Sequence, residues 1–120
     1  VVEERLYNFL KDNLDLPPRQ IGWGDEPTGT AYPRVTFKKM SDPPLYQATD
    51  VWQRWRFYVV HEDKFECKDI LESIVLALHG FYGLIEGFYF DFISKIDEGP
   101  ITLREDNTYE IYVDFRVKYH

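Results

Sequence analysis

Residues 109 to 119 alternate without a break. Tyr109, Ile111, Val113, Phe115, Val117 and Tyr119 fall on one parity, and Glu110, Tyr112, Asp114, Arg116 and Lys118 fall on the other. Side chains of an extended chain point to opposite faces in turn, so this spacing predicts a long strand with one apolar and one polar face. A slip of one residue would turn the whole apolar set to the wrong side, so the pattern fixes register as well as conformation.

A second long strand is expected over 51–61. Trp55, Phe57 and Val59 continue an apolar parity begun at Val51, while Arg54, Arg56 and Tyr58 face the other way. Shorter strands are expected near 20–23, at 34–40 and at 88–96. Glu105-Asp106-Asn107 has the composition of a hairpin turn and would pair 101–104 with the C-terminal strand, while Gly83 and Gly87 read as turn residues.

Two segments have the helical period instead. Val2, Leu6, Phe9 and Leu10 make one stripe of an amphipathic helix that must stop before Pro17-Pro18. Cys67, Ile70, Leu71, Ile74, Val75 and Leu78 make another. Asp63 and Glu66 have the spacing of a capping box at its start, and Gly80 stands where a C-terminal cap belongs. The loop 24–33 holds Gly24, Pro27, Gly29 and Pro33, and the loop 41–49 contains Pro43-Pro44. This order of elements predicts one α+β domain over 1–120, a mainly antiparallel sheet with two helices packed on one face.

A chain of 120 residues is long enough to bury one core without staples, and with Cys67 as its lone cysteine it can form no internal disulfide. Cys67 reads as a buried thiol. Nine Tyr, nine Phe and three Trp are more rings than one small core needs, which points to an assembly surface. The net charge of −7 opposes attraction to phosphate backbones and anionic membranes, so no stable nucleic-acid binding is expected. No apolar run approaches the roughly 20 residues that span a bilayer, and the acidic start Val1-Val2-Glu3-Glu4 is unlike a secretory signal; a cytoplasmic location is expected.

The residues that carry chemistry elsewhere are not arranged for it here. His61, His79 and His120 lack metal-ligand spacing, and Ser41, Ser73 and Ser94 have no base beside them. Gly22, Gly24 and Gly29 lack the Lys-Thr ending of a phosphate loop. The expectation is therefore no catalytic residue, no metal, no cofactor and no small-molecule substrate. One constellation competes with this: Trp52, Arg54, Arg56 and Tyr58 would join Tyr112, Arg116 and Lys118 if the two long strands are neighbours, giving an aromatic and basic surface for single-stranded RNA. Glu110 and Asp114 interrupt that surface, which favours cross-strand pairing or contact with another subunit.

Nearly the whole chain resembles the tail-completion or tail-terminator family of long-tailed bacteriophages. The likeness lies in the N-terminal helix, the strand Tyr32-Pro33-Arg34-Val35-Thr36-Phe37 after a loop, and a Pro-containing excursion. It continues through the strand from Trp52 to Val60, the helix from Ile70 to Gly80, and the closing Tyr112-Val113-Asp114-Phe115-Arg116-Val117. The resemblance implies a homo-oligomeric ring, commonly a hexamer, seated on the tail-tube protein and contacting a head-completion protein. It also implies assembly in the bacterial cytoplasm and a final place in the virion tail. Trp23, Tyr46, Trp52, Arg54 and Arg56 are the expected interface residues. The alternative is a non-enzymatic adaptor domain.

Overall fold

The computed structural model describes residues 2–41 and 52–119. The first helix, α1 (Val2–Asn13), buries Val2, Leu6 and Leu10, one residue per turn, and carries Glu3 and Glu4 where the positive end of the helix dipole favours them. Pro17 and Pro18 end any continuation, and a short 3₁₀ turn (Pro18–Gln20) leads into β1 (Ile21–Trp23). Then follow β2 (Arg34–Ser41), β3 (Gln53–His61), α2 (Lys64–Leu78), β4 (Phe81–Ile85), β5 (Phe88–Glu98), β6 (Thr102–Leu103) and β7 (Tyr109–Tyr119).

The strands form one sheet in the order β1-β2-β3-β7-β5-β4, with β6 also on β7. The expected α+β class and antiparallel pairing hold, except that β1 runs parallel to β2. Parallel neighbours need a crossover, which the segment 24–33 supplies. The two long strands are adjacent, in register from Gln53↔Val117 to His61↔Tyr109. Along its other side β7 is shared in tandem by β5, up to Glu98↔Val113, and β6, from Thr102↔Glu110.

The segment after α2 departs from the expected turn at Gly83. Residues 81–85 are an edge strand antiparallel to β5, Gly83 lies at a register shift with φ of +120°, and the reversal is made by Glu86 and Gly87. Both have positive φ, 50° and 80°, as a two-residue hairpin requires. Phe81-Tyr82-Gly83-Leu84-Ile85 does not alternate, so β5 holds it extended where its own pattern gives no strand signal. The next strand, β5, reaches Glu98, two residues past the expected end, through shifts at Phe90/Phe92 and Lys95/Asp97.

Both helices pack on one face. Leu6, Leu10, Leu71, Ile74 and Leu78 share a core with Phe37, Trp55, Phe57, Phe90, Val113 and Phe115. Phe57 stacks on Phe37 at 5.6 Å and meets Phe115 edge-on at 5.5 Å. Besides packing on β1 at one edge, α1 reaches the β4–β5 hairpin at the other. There Phe9 lies 5.0 Å from Phe81, and Asn8 donates to Glu86 at 2.9 Å. A single helix touches both edges only if the twisted sheet curls around it.

Candidate assembly interface

The face of the sheet away from the helices holds most of the side chains singled out from the sequence. Its parity is set by the core: since Trp55, Phe57, Val113 and Phe115 point inward, Arg54, Arg56, Tyr58, Tyr112, Asp114 and Arg116 point outward. Arg54 stands opposite Arg116, and Arg56 opposite Asp114.

Asp114 organises this face. Its carboxylate is fully buried and accepts from Arg56 Nε at 2.7 Å and Nη2 at 3.0 Å, and from Arg54 Nε at 2.8 Å. Burial by itself would raise the pKa of Asp114, but these donors outweigh it and hold it below the ordinary carboxylate value. The same bond raises the pKa of Arg56 despite desolvation. The guanidinium of Arg56 also lies 3.9 Å from the centre of the Tyr112 ring, and Tyr112 in turn meets Tyr58 at 6.0 Å. Two of the arginines expected to meet phosphate are thus committed to a carboxylate, which weakens the RNA reading.

Arg116 is arranged differently. It is exposed, and its guanidinium lies 5.7 Å from the Trp52 ring and 5.9 Å from the Phe92 ring. Among the described residues it makes no ion pair. Phe92 was not expected at this site, because the shift between Phe90 and Phe92 changes the parity of β5.

The segment 24–33 closes the other end of the face. Gly24 N–H donates to the Phe37 carbonyl at 2.9 Å, and Glu26 accepts from Arg34 at 3.1 Å and from Arg104 at 2.7 Å. Gly24 and Glu26 line a cavity of about 280 Å³ with Thr36, Lys38, Tyr58, Val60 and Glu110. Glu26 therefore ties the first loop to the β6–β7 hairpin across the sheet.

The five expected interface residues divide. Trp52, Arg54 and Arg56 share the open face. Trp23 does not: it is paired beside Phe37, on the helix-bearing side, and stands 60% exposed next to Glu3, Glu4 and Tyr7. Tyr46 lies outside the described residues. On the same side of the sheet as Trp23, sequence reasoning passed over the outer surface of α2, where Phe65 and Leu76 are 80% and 86% exposed. Their exposure follows from the helix period, since both fall opposite the buried Cys67, Leu71, Ile74 and Leu78 stripe.

His61 and His79 serve structure, and His120 lies outside the described residues. Asp63 caps α2 by accepting from the Phe65 and Glu66 N–H groups at 2.9 and 3.0 Å. The expected reciprocal bond from Glu66 is replaced by a relay through His61, which accepts from Asp63 N–H at Nδ1 and meets Glu66 at Nε2, 2.9 Å away. His79 Nδ1 accepts from the Lys95 N–H at 3.0 Å. Among the described residues no cluster of three His, Cys, Asp or Glu is placed to hold a metal, and no helix is long and apolar enough to cross a membrane. Cys67 is fully buried, with Sγ 3.4 Å from the Val59 carbonyl, and burial pushes its thiol up to about 11.

No protein-family model matches the sequence, and no curated protein matches it. The fold is similar to that of a chain in a structure described as the virion of a native gene transfer agent particle. The TM-score is 0.76 at 13% sequence identity, over 98% of this chain and 93% of that one.

Proposed function

We propose that this chain is a structural subunit of a tailed virion or prophage particle, that it acts without catalysis, and that it closes the end of the tail tube as a ring and joins tail to head. The observation that carries the reading is the match of the whole fold to a chain of a virion particle, 98% of this chain at a TM-score of 0.76. It coincides with an order of elements that resembles the tail-terminator family. In this reading the partners are further copies of the chain, in a hexamer, with the tail-tube protein below and a head-completion protein above. The protein gathers in the bacterial cytoplasm and ends in the virion tail.

The surface chemistry supports such a role. A ring is built from a heterologous contact, which needs two different patches on each subunit. Trp23 on the helix side and Trp52 on the open face belong to two such patches. The Asp114 counter-ion and the net charge of −7 also suit a subunit beside a DNA path, because neither invites phosphate to stick.

The test is the solution mass over a concentration series, alone and then with purified tail tubes from the same genome, followed by electron microscopy of the mixture. Density added at one tube end supports the reading. A monomer that ignores tubes and finds one other protein partner would replace it with the adaptor domain.

A further inference from the structure

Two surfaces of this molecule have the same composition with opposite charge. On the open sheet face the cation Arg116 stands between two rings, Trp52 and Phe92, and has no acidic partner among the described residues. On α2 the carboxylates Asp69 and Glu72 stand between two exposed apolar side chains, Phe65 and Leu76. At 100° per residue these four fall within about 60° of one another, so they form a single file along the helix. The file is about 16 Å long at 1.5 Å per residue. Among the described residues neither carboxylate is ion-paired.

The two surfaces lie on opposite sides of the subunit, since α2 packs on the core side of β3 and β7 while Arg116 projects from the other side of β7. They cannot meet within one chain. Trp52 directly precedes β3 and Phe92 lies on β5, the two strands that flank β7, so the rings come from chains about 10 Å apart across the sheet, the width of a helix.

We propose that the outer file of α2 in one copy docks on the Trp52, Arg116 and Phe92 face of the next copy, with Glu72 and Asp69 accepting from Arg116 and with Phe65 and Leu76 covering the rings. The occupant is a second copy because the charges are complementary, the apolar groups flank the charge on both surfaces, and Arg116, Phe65 and Leu76 are all exposed. An arginine set among aromatic rings is also the side-chain combination that dominates binding energy at interfaces. The contact is heterologous and repeats in one direction, as a ring requires. It rests on reading the chain as a repeating subunit, and adds which surface meets which.

The test uses two single substitutions, Arg116→Glu and Glu72→Arg, both at exposed positions, with thermal melting to establish that each variant folds. Sedimentation is measured from micromolar to millimolar protein at low salt, where charge pairs are least screened. Self-association of the unmodified chain is expected, with each variant alone shifted to weaker association by about tenfold or more. An equimolar mixture of the two variants is expected to recover, because each kind then offers the surface the other needs.

Variants that associate as well as the unmodified chain would overturn the contact and leave the subunit reading standing. So would a chain that is monomeric at every concentration, in which case binding to tail tubes still decides the wider role. Recovery in the mixture without any binding to tubes would keep the contact and reject tail capping. Binding of a single-stranded oligonucleotide that Arg116→Glu abolishes, with no self-association, would assign the face to nucleic acid and overturn the proposal.

Discussion

Arg56 and Asp114 stand directly opposite on β3 and β7, 58 residues apart in sequence, with Nε donating to Oδ1 at 2.7 Å. The carboxylate is fully buried while the arginine reaches the surface. Arg54 donates to the same carboxylate, so one acid anchors two cations of the open face. Such an arrangement resists removal of its shared member more than it adds to stability, since an unpaired charge near the core is costly.

Asp114→Asn is expected to cost about 2–3 kcal/mol, measured by urea denaturation, since both arginines lose their charged acceptor. Replacing all three by Met, Met and Leu should recover much of that loss. An unchanged unfolding midpoint in Asp114→Asn would mean that water satisfies the arginines equally well.

Acid should act through the same group. The folded-state pKa of Asp114 lies below its ordinary value near 4, and Glu98 is lowered too, first by the hydrogen bond from Lys68. The unfolded chain therefore binds protons first as the pH falls. This stability is present above about pH 4 and is lost as the pH drops through the folded values. Denaturation curves at successive pH values should show that fall, with a shallower slope in Asp114→Asn.

Gly99 donates to the Tyr112 carbonyl at 2.9 Å, and the Tyr112 ring fills the space where a Cβ would stand. Gly99→Ala should destabilise by about 1–3 kcal/mol through overpacking. Adding Tyr112→Ala should make the second change cheaper than it is alone, a coupling that a double-mutant cycle reads directly. Additive costs would place the strain elsewhere.

Burial first, and then the charge of Glu110, hold the Cys67 thiol near 11, and no part of the residue reaches solvent. A colourless disulfide reagent that releases a coloured thiolate should react slowly with the folded protein at mildly alkaline pH and quickly in denaturant. Rapid labelling of the folded chain would reveal frequent local opening of α2.

Trp23→Ala and Trp52→Ala are expected to weaken assembly while the fold survives, because Trp23 is 60% exposed and Trp52 sits on the open face against Arg116. Melting curves and sedimentation together separate the outcomes. A large loss of melting temperature in either variant would make that residue part of the core.

What the sequence determined by itself is which way the side chains of β3, β7 and the two helices point. The alternation over 109–119 divided β7 into a core face and an open face, and the helical periods put Cys67 and Leu71 inside, because both patterns are properties of a single local conformation. The caps of α2 and the turn before β7 were legible for the same reason, although the His61 relay needed the ring to fold back. What the tertiary structure decided is which strands are neighbours. Only the adjacency of β3 and β7 turned Arg54 and Arg56 into the ligands of Asp114. Only pairing with β5 made a strand of Phe81 to Ile85, and only a shift in β5 brought Phe92 to Arg116. Hydrogen bonding between strands is indifferent to sequence distance, so residues 58 apart can become partners with no periodic signal joining them.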